Sequence, residues 1–89
     1  MPRQTVTITN KLGLHLRASS KLSQLASSFD CEIWLERNAK RINAKSVLGV
    51  TMLAAGLGSE VVIDTSGRQE EEAMESLVKL FNDKFGEEA

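Results

Sequence analysis

The chain is 89 residues long and 42% hydrophobic, carries a net charge of −1, and contains one cysteine, one histidine and one tryptophan. A chain this short encloses one modest core, so one domain over residues 1–89 is expected, and Cys31, alone in an alternating apolar stretch, reads as a small buried hydrophobe in a reducing cytoplasm. No segment approaches the ~20 apolar residues of a membrane span, and Met1-Pro2-Arg3-Gln4-Thr5 leads into no apolar run, so neither membrane insertion nor export is expected.

Thr5-Val6-Thr7-Ile8-Thr9 alternates polar with apolar, the period of a half-buried strand. After Asn10-Lys11-Leu12, Gly13 can take the positive φ of a sharp turn. Beyond it the period changes. Ala18, Leu22, Leu25 and Phe29 recur at helical spacing, with Ser20, Lys21, Ser23, Gln24 and Ser27 assigned to the solvent side. Cys31, Ile33 and Leu35 alternate with Glu32, Trp34 and Glu36 as a second strand, which turns at Asn38-Ala39 into a third over residues 40–43. Ser46 is placed to cap a short helix over residues 47–53, which Gly56 and Gly58 end. Residues 60–65 read as a fourth strand with Val61, Ile63 and Thr65 on one face. Ala73, Leu77, Leu80 and Phe81 make a last helical stripe. Glu70-Glu71-Glu72 leads it and Lys79, Lys84 and Gly86 follow, the charge order that complements a helix dipole. The order β-α-β-β-α-β-α predicts one sheet with helices on one face, leaving the face that bears Trp34 and Val62 open.

His15 directly precedes the first helix. A residue there can cap the helix while the N–H groups of Leu16, Arg17 and Ala18 point outward beside its ring, which makes an anion site. Arg17 adds a permanent charge with forked donors suited to phosphate oxygens. Neutral imidazole is a nucleophile near pH 7, so phosphoryl transfer through His15 requires neither a metal nor another base, and no cofactor is expected. On spacing alone, a surface or cap role is the ordinary reading of a lone histidine. Other chemistry is weaker: there is no second histidine for a metal cluster and no triad, and Glu70-Glu71 sits at a helix start where a dipole role suffices. Charge is unevenly placed, with residues 1–46 at net +5 and residues 47–89 at net −6. A basic region around His15 attracts acidic partners or phosphate. The acidic remainder, with no aromatic beyond Trp34 on the open sheet, disfavours nucleic-acid binding.

Gly13-Leu14-His15-Leu16-Arg17-Ala18 resembles the active-site motif of the HPr family, the histidine phosphocarriers of the bacterial sugar phosphotransferase system. Asn43-Ala44-Lys45-Ser46-Val47-Leu48-Gly49-Val50 resembles the second HPr signature, and the Ala54 to Gly58 loop, the final strand and the terminal helix follow in register. Asn10-Lys11-Leu12-Gly13, Gln69-Glu70-Glu71-Glu72-Ala73 and Leu80-Phe81-Asn82 are also similar to NPr, the nitrogen-regulatory branch. The resemblance spans essentially the whole chain. It implies an α+β fold, an open-faced β-sandwich in which a four-stranded antiparallel sheet carries three helices on one side. It also implies a carrier, regenerated by its donor, that takes a phosphoryl group from enzyme I at the expense of phosphoenolpyruvate and passes it to a IIA component. The phosphate would sit on Nδ1 of His15, with Arg17 alongside. Leu16, Ser20, Val47 and Leu48 would form the docking patch of a monomer, and Ser46 would be the site of an HPr kinase/phosphorylase. A regulatory module of the same fold, controlled at Ser46, is the competing reading.

Two positions depart from the family's usual Gly-(Leu/Met)-His-Ala-Arg-Pro pattern. Leu16 stands for alanine and Ala18 for proline. Ala18 restores a backbone donor and loosens the first turn slightly, while Leu16 places a large apolar group beside His15, which is expected to alter partner choice or transfer rate. Positions where relatives carry lysine are uncharged here at Gln24, Ser27 and Gly49, so steering of acidic partners is expected to fall on Lys21, Lys45 and Arg17.

Overall fold

The computed structural model describes residues 2–89. Strand β1 (Arg3–Thr7), helix α1 (Leu16–Ser27), strands β2 (Cys31–Arg37) and β3 (Lys40–Asn43), helix α2 (Val47–Met52), strand β4 (Glu60–Gly67) and helix α3 (Glu70–Asn82) follow in the expected order. A 3-10 turn over Lys84–Gly86 extends beyond it. The strands form one antiparallel sheet in the order β1-β4-β2-β3. The last strand in the chain therefore inserts between the first two, and the sheet is complete only when the chain has passed α2. The register pairs Val6 with Val61 and Leu35 with Ile63, which puts the apolar alternation of neighbouring strands on one face. Those four side chains are buried with Ala18, Leu22 and Ala26 of α1, Val50 of α2 and Ala73, Leu77 and Phe81 of α3 in a single core.

The opposite face carries an ion network. Asp64 accepts from Arg3 at 2.5 Å and from Arg41 at 2.7 Å, and Arg41 lies 3.5 Å from Glu36. The Arg41 guanidinium stands 5.2 Å from the centre of the Trp34 ring, so the tryptophan is half-buried beneath a charge rather than bare. The β2–β3 hairpin turns on Asn38 and Ala39, both at positive φ (51° and 65°), as a two-residue loop matched to strand twist requires.

Several details differ from the sequence reading, the first being that β1 runs over Arg3–Thr7 and not over residues 5–9. Ser23, assigned to solvent, is buried and donates to the Ala44 carbonyl at 2.9 Å, and its buried neighbour Ser19 donates to the Leu14 carbonyl at 3.1 Å. Helix α1 packs against both α2 and α3, so its buried arc is wider than the apolar stripe, and short hydroxyls enter it by finding carbonyl acceptors. Phe29 lies past the end of α1 and is only partly buried. Ala54, at φ 51°, turns the chain after α2 before either glycine is reached. Cys31 is half-buried against the core; burial, the largest influence, pushes its thiol up, with Lys45 pulling down and Asp30 and Glu70 adding to the rise. Ser46 caps α2 as expected, its Oγ accepting from the Gly49 N–H at 3.0 Å. Ser46→Ala is expected to cost about 1 kcal/mol, seen as a lower urea midpoint at unchanged m-value.

Candidate functional site

His15 occupies the N-cap of α1 in extended backbone (φ −71°, ψ 175°). The turn before it explains why. Gly13, at φ 67°, packs so closely that a Cβ would lie 2.4 Å from the Ala55 carbonyl oxygen and 2.7 Å from Gly56 Cα. The Leu14 N–H donates to that same Ala55 oxygen at 2.9 Å. Asn10 is fully buried, and its Nδ2 donates to the Gly13 carbonyl at 2.8 Å while the Gly13 N–H returns to the Asn10 carbonyl at 3.2 Å. With the turn pinned at both ends, the first bond inside α1 runs from the Ser19 N–H to the His15 carbonyl at 2.9 Å. The amides of Leu16, Arg17 and Ala18 thus stand ahead of the helical ladder, at the positive end of the dipole.

The imidazole itself does not cap the helix. It is engaged elsewhere: Nε2 lies 2.5 Å from Oε2 of Glu87, and Oε1 of the same carboxylate accepts from Asn10 Nδ2 at 3.1 Å. The His15 side chain keeps 28% of its surface exposed. Arg17 is exposed and lines, with Lys11, Leu12, Glu87 and Ala89, a cavity of about 430 Å³ beside the ring.

Glu87 has no counterpart in the sequence reading. The chain brings it there by a tight reversal after α3, in which Lys84, Phe85 and Gly86 all have positive φ (56°, 56° and 78°). Left-handed backbone at two non-glycine residues persists only when the surroundings over-determine it. They do so here. Phe85 is 1% exposed and meets Phe81 edge to face at 5.0 Å, and Lys21 Nζ donates to the Phe85 carbonyl at 2.8 Å. The Phe81–Phe85 spacing, which continues the helical stripe by one step, was the available signal.

Burial, the largest influence on the Glu87 carboxyl, pulls its pKa up, but hydrogen bonds from His15 and Asn10 and the charges of His15 and Lys21 outweigh it and hold the group below its usual 4.5. A depressed carboxylate stabilises the fold above its ordinary value and loses that contribution as pH falls through the lowered one. The tail contact is therefore expected to be intact at neutral pH and to open only below pH 4.5. A pH series of the Asn10 side-chain amide resonances reads the opening; unchanged resonances down to pH 3 would contradict it.

The expected docking residues fall on two adjacent helices, Leu16 and Ser20 on α1 and Val47 and Leu48 on α2. Leu16 is 68% and Leu48 72% exposed. Leu12, Met52 and Leu57 are also exposed large apolar side chains, and the sequence reading did not include them. Two of the expected steering cations are tied down: Lys21 to the Phe85 carbonyl and Lys45 to the Phe29 carbonyl at 2.9 Å. Among the described residues no group of His, Cys, Asp and Glu is arranged to hold a metal, and no helix is long and apolar enough to cross a membrane.

Residues 2–83 match the family model described as the PTS HPr component phosphorylation site. The chain belongs to the HPr family. Among its relatives, the phosphocarrier protein HPr of Cupriavidus necator is 51% identical over 98% of each chain, and that of Neisseria meningitidis 48% identical over the same shares. The crystal structure of HPr from Thermoanaerobacter tengcongensis superposes with a TM-score of 0.96 at 43% identity over all of both chains, and an HPr dimer from the same organism with a TM-score of 0.79 at 42% identity, covering 98% of this chain and 100% of that one. The sheet order and helix placement are those of HPr structures. Family membership makes the protein a phosphocarrier of the phosphotransferase system and not a turnover enzyme.

Proposed function

We propose that His15 is the residue that carries the phosphoryl group, accepting it from enzyme I at the expense of phosphoenolpyruvate and donating it to a IIA protein. The observation that carries this reading is the placement of a partly exposed imidazole at the open N-terminus of α1, with the Arg17 side chain lining the same cavity. The amides of Leu16, Arg17 and Ala18 and the Arg17 fork supply donors for phosphate oxygens where charge accumulates. The carrier is restored to its starting state when the acceptor takes the group, so residues 1–89 act as one cytoplasmic, monomeric shuttle whose docking surface is Leu16, Ser20, Val47 and Leu48. Donor and acceptor would use that surface in turn. Exposed Ser46 is the proposed second phosphosite, modified by an HPr kinase/phosphorylase. Its phosphate at the start of α2 would add negative charge beside Val47 and Leu48 and disfavour an acidic partner.

Incubation with enzyme I and labelled phosphoenolpyruvate is expected to give one acid-labile phosphoryl group per chain, and mass spectrometry to place it on the peptide that contains His15. An acid-stable label, or none, would count against the reading.

A further inference from the structure

We propose that Glu87 is a positioning residue for phosphoryl transfer, holding the His15 ring by its Nε2–H and stabilising the positive charge that the ring acquires when Nδ1 is phosphorylated. The inference rests on His15 being the phosphorylated residue. Three contacts carry it: Glu87 Oε2 at 2.5 Å from His15 Nε2, Glu87 Oε1 accepting from buried Asn10 at 3.1 Å, and the Lys21 bond to the Phe85 carbonyl that fixes the tail two residues earlier.

A carboxylate only accepts, so its partner nitrogen is the protonated one, and the ring's lone pair is left on Nδ1. Among the described residues Nδ1 has no hydrogen-bond partner. In the transfer, the Nδ1 lone pair attacks phosphorus. The new N–P bond forms as the donor's bond to phosphorus breaks, and the electron pair of the broken bond leaves with the donor group. The ring keeps its Nε2 proton throughout, so it ends as a phosphorylated imidazolium carrying one positive charge. A carboxylate already bonded to that proton stabilises the cation without reorganising, as the aspartate of a Ser-His-Asp triad stabilises the imidazolium that forms beside it.

Asn10 shows that this arrangement is built. Its amide gives both N–H groups away, one to the Gly13 carbonyl beneath His15 and one to Glu87, and leaves Oδ1 buried without a donor. The opposite orientation would set its carbonyl oxygen against two acceptors. One buried side chain therefore ties the turn that carries the histidine to the tail that carries its carboxylate. The other charged side chains at the site are Lys11, Arg17 and Lys21; these cations favour the incoming phosphate, and Glu87 is the charged group hydrogen-bonded to the ring.

The test compares the full chain with Glu87→Gln, which keeps size and loses charge, and with Glu88→Gln, which removes the same charge one residue further on at an exposed position. At neutral pH the wild type is expected to show a downfield, slowly exchanging His15 Nε2–H proton resonance that Glu87→Gln loses and Glu88→Gln keeps. Charge-assisted bonds are roughly twice as strong as neutral ones, so Glu87→Gln is expected to lower the maximal rate of phosphoryl acceptance from enzyme I about tenfold with KM for enzyme I unchanged. Persistence of the resonance in Glu87→Gln, an unchanged rate, or an equal loss in Glu88→Gln would overturn the proposal. Failure of the wild type to take any label would instead remove the phosphocarrier role of His15, while the resonance would still report the Glu87 bond.

Discussion

Replacing His15 by alanine is expected to lower phosphoryl acceptance from enzyme I by more than about a thousandfold, the scale on which removal of an attacking nucleophile acts. No second group stands in for it. The chain has no other histidine; the only cysteine thiol is half-buried on β2 with its pKa pushed up by burial; and Arg17, which lines the same cavity, carries a guanidinium that donates hydrogen bonds and has no nucleophilic lone pair. The loss should be one of chemistry far more than of folding, because the imidazole makes no cap bond to α1, its helix start is fixed by Asn10, Gly13 and Ala55, and Glu87, which loses its bond to the ring, keeps the one from Asn10. Circular dichroism and the thermal midpoint are therefore expected to stay close to wild type while the acid-labile label disappears. A label that survives in His15→Ala would move the site elsewhere.

The strands and helices were legible because their faces alternate cleanly: Val61, Ile63 and Thr65 are buried as the period-2 pattern requires, and Ser46 caps α2 with the geometry its position before Val47 suggests. Half of the site was legible for a similar reason. His15, Leu16, Arg17 and Ala18 are contiguous, and their relation to a helix start is local. The other half is long-range. Asn10 reads as a loop polar residue, yet it is fully buried because Glu87, 77 positions away, accepts from it. Glu87 reads as one more acidic residue in a negatively charged tail. What places it is the left-handed reversal at Lys84 and Phe85, and left-handed backbone at lysine and phenylalanine leaves no trace in composition or periodicity. Ser23 was misplaced by the same limit, since only the tertiary neighbour Ala44 supplies the carbonyl that lets its hydroxyl be buried.

Gly13→Ala is expected to be the most destabilising single-methyl change near the site. Two separate terms oppose it. Left-handed φ at a residue with a Cβ costs roughly 1–2 kcal/mol, and the new methyl would overlap the Ala55 carbonyl and Gly56 Cα at 2.4 and 2.7 Å, both backbone atoms with no side-chain rotamer to retreat into. Relief requires the turn to lift away from the loop after α2, which breaks the Leu14 bond to Ala55 and exposes buried Leu14. The combined loss is expected at about 3 kcal/mol, a fall of roughly 12–24 °C in the thermal midpoint of a chain this size. Gly58→Ala separates the two terms. Gly58 also has positive φ, 87°, but a Cβ there meets nothing within 4 Å, so only the conformational cost of about 1–2 kcal/mol applies. Equal midpoints for the two variants would show that the close approach of Gly13 to Ala55 does not hold the His15 turn. A gap between them measures how strongly that contact sets the position of the imidazole.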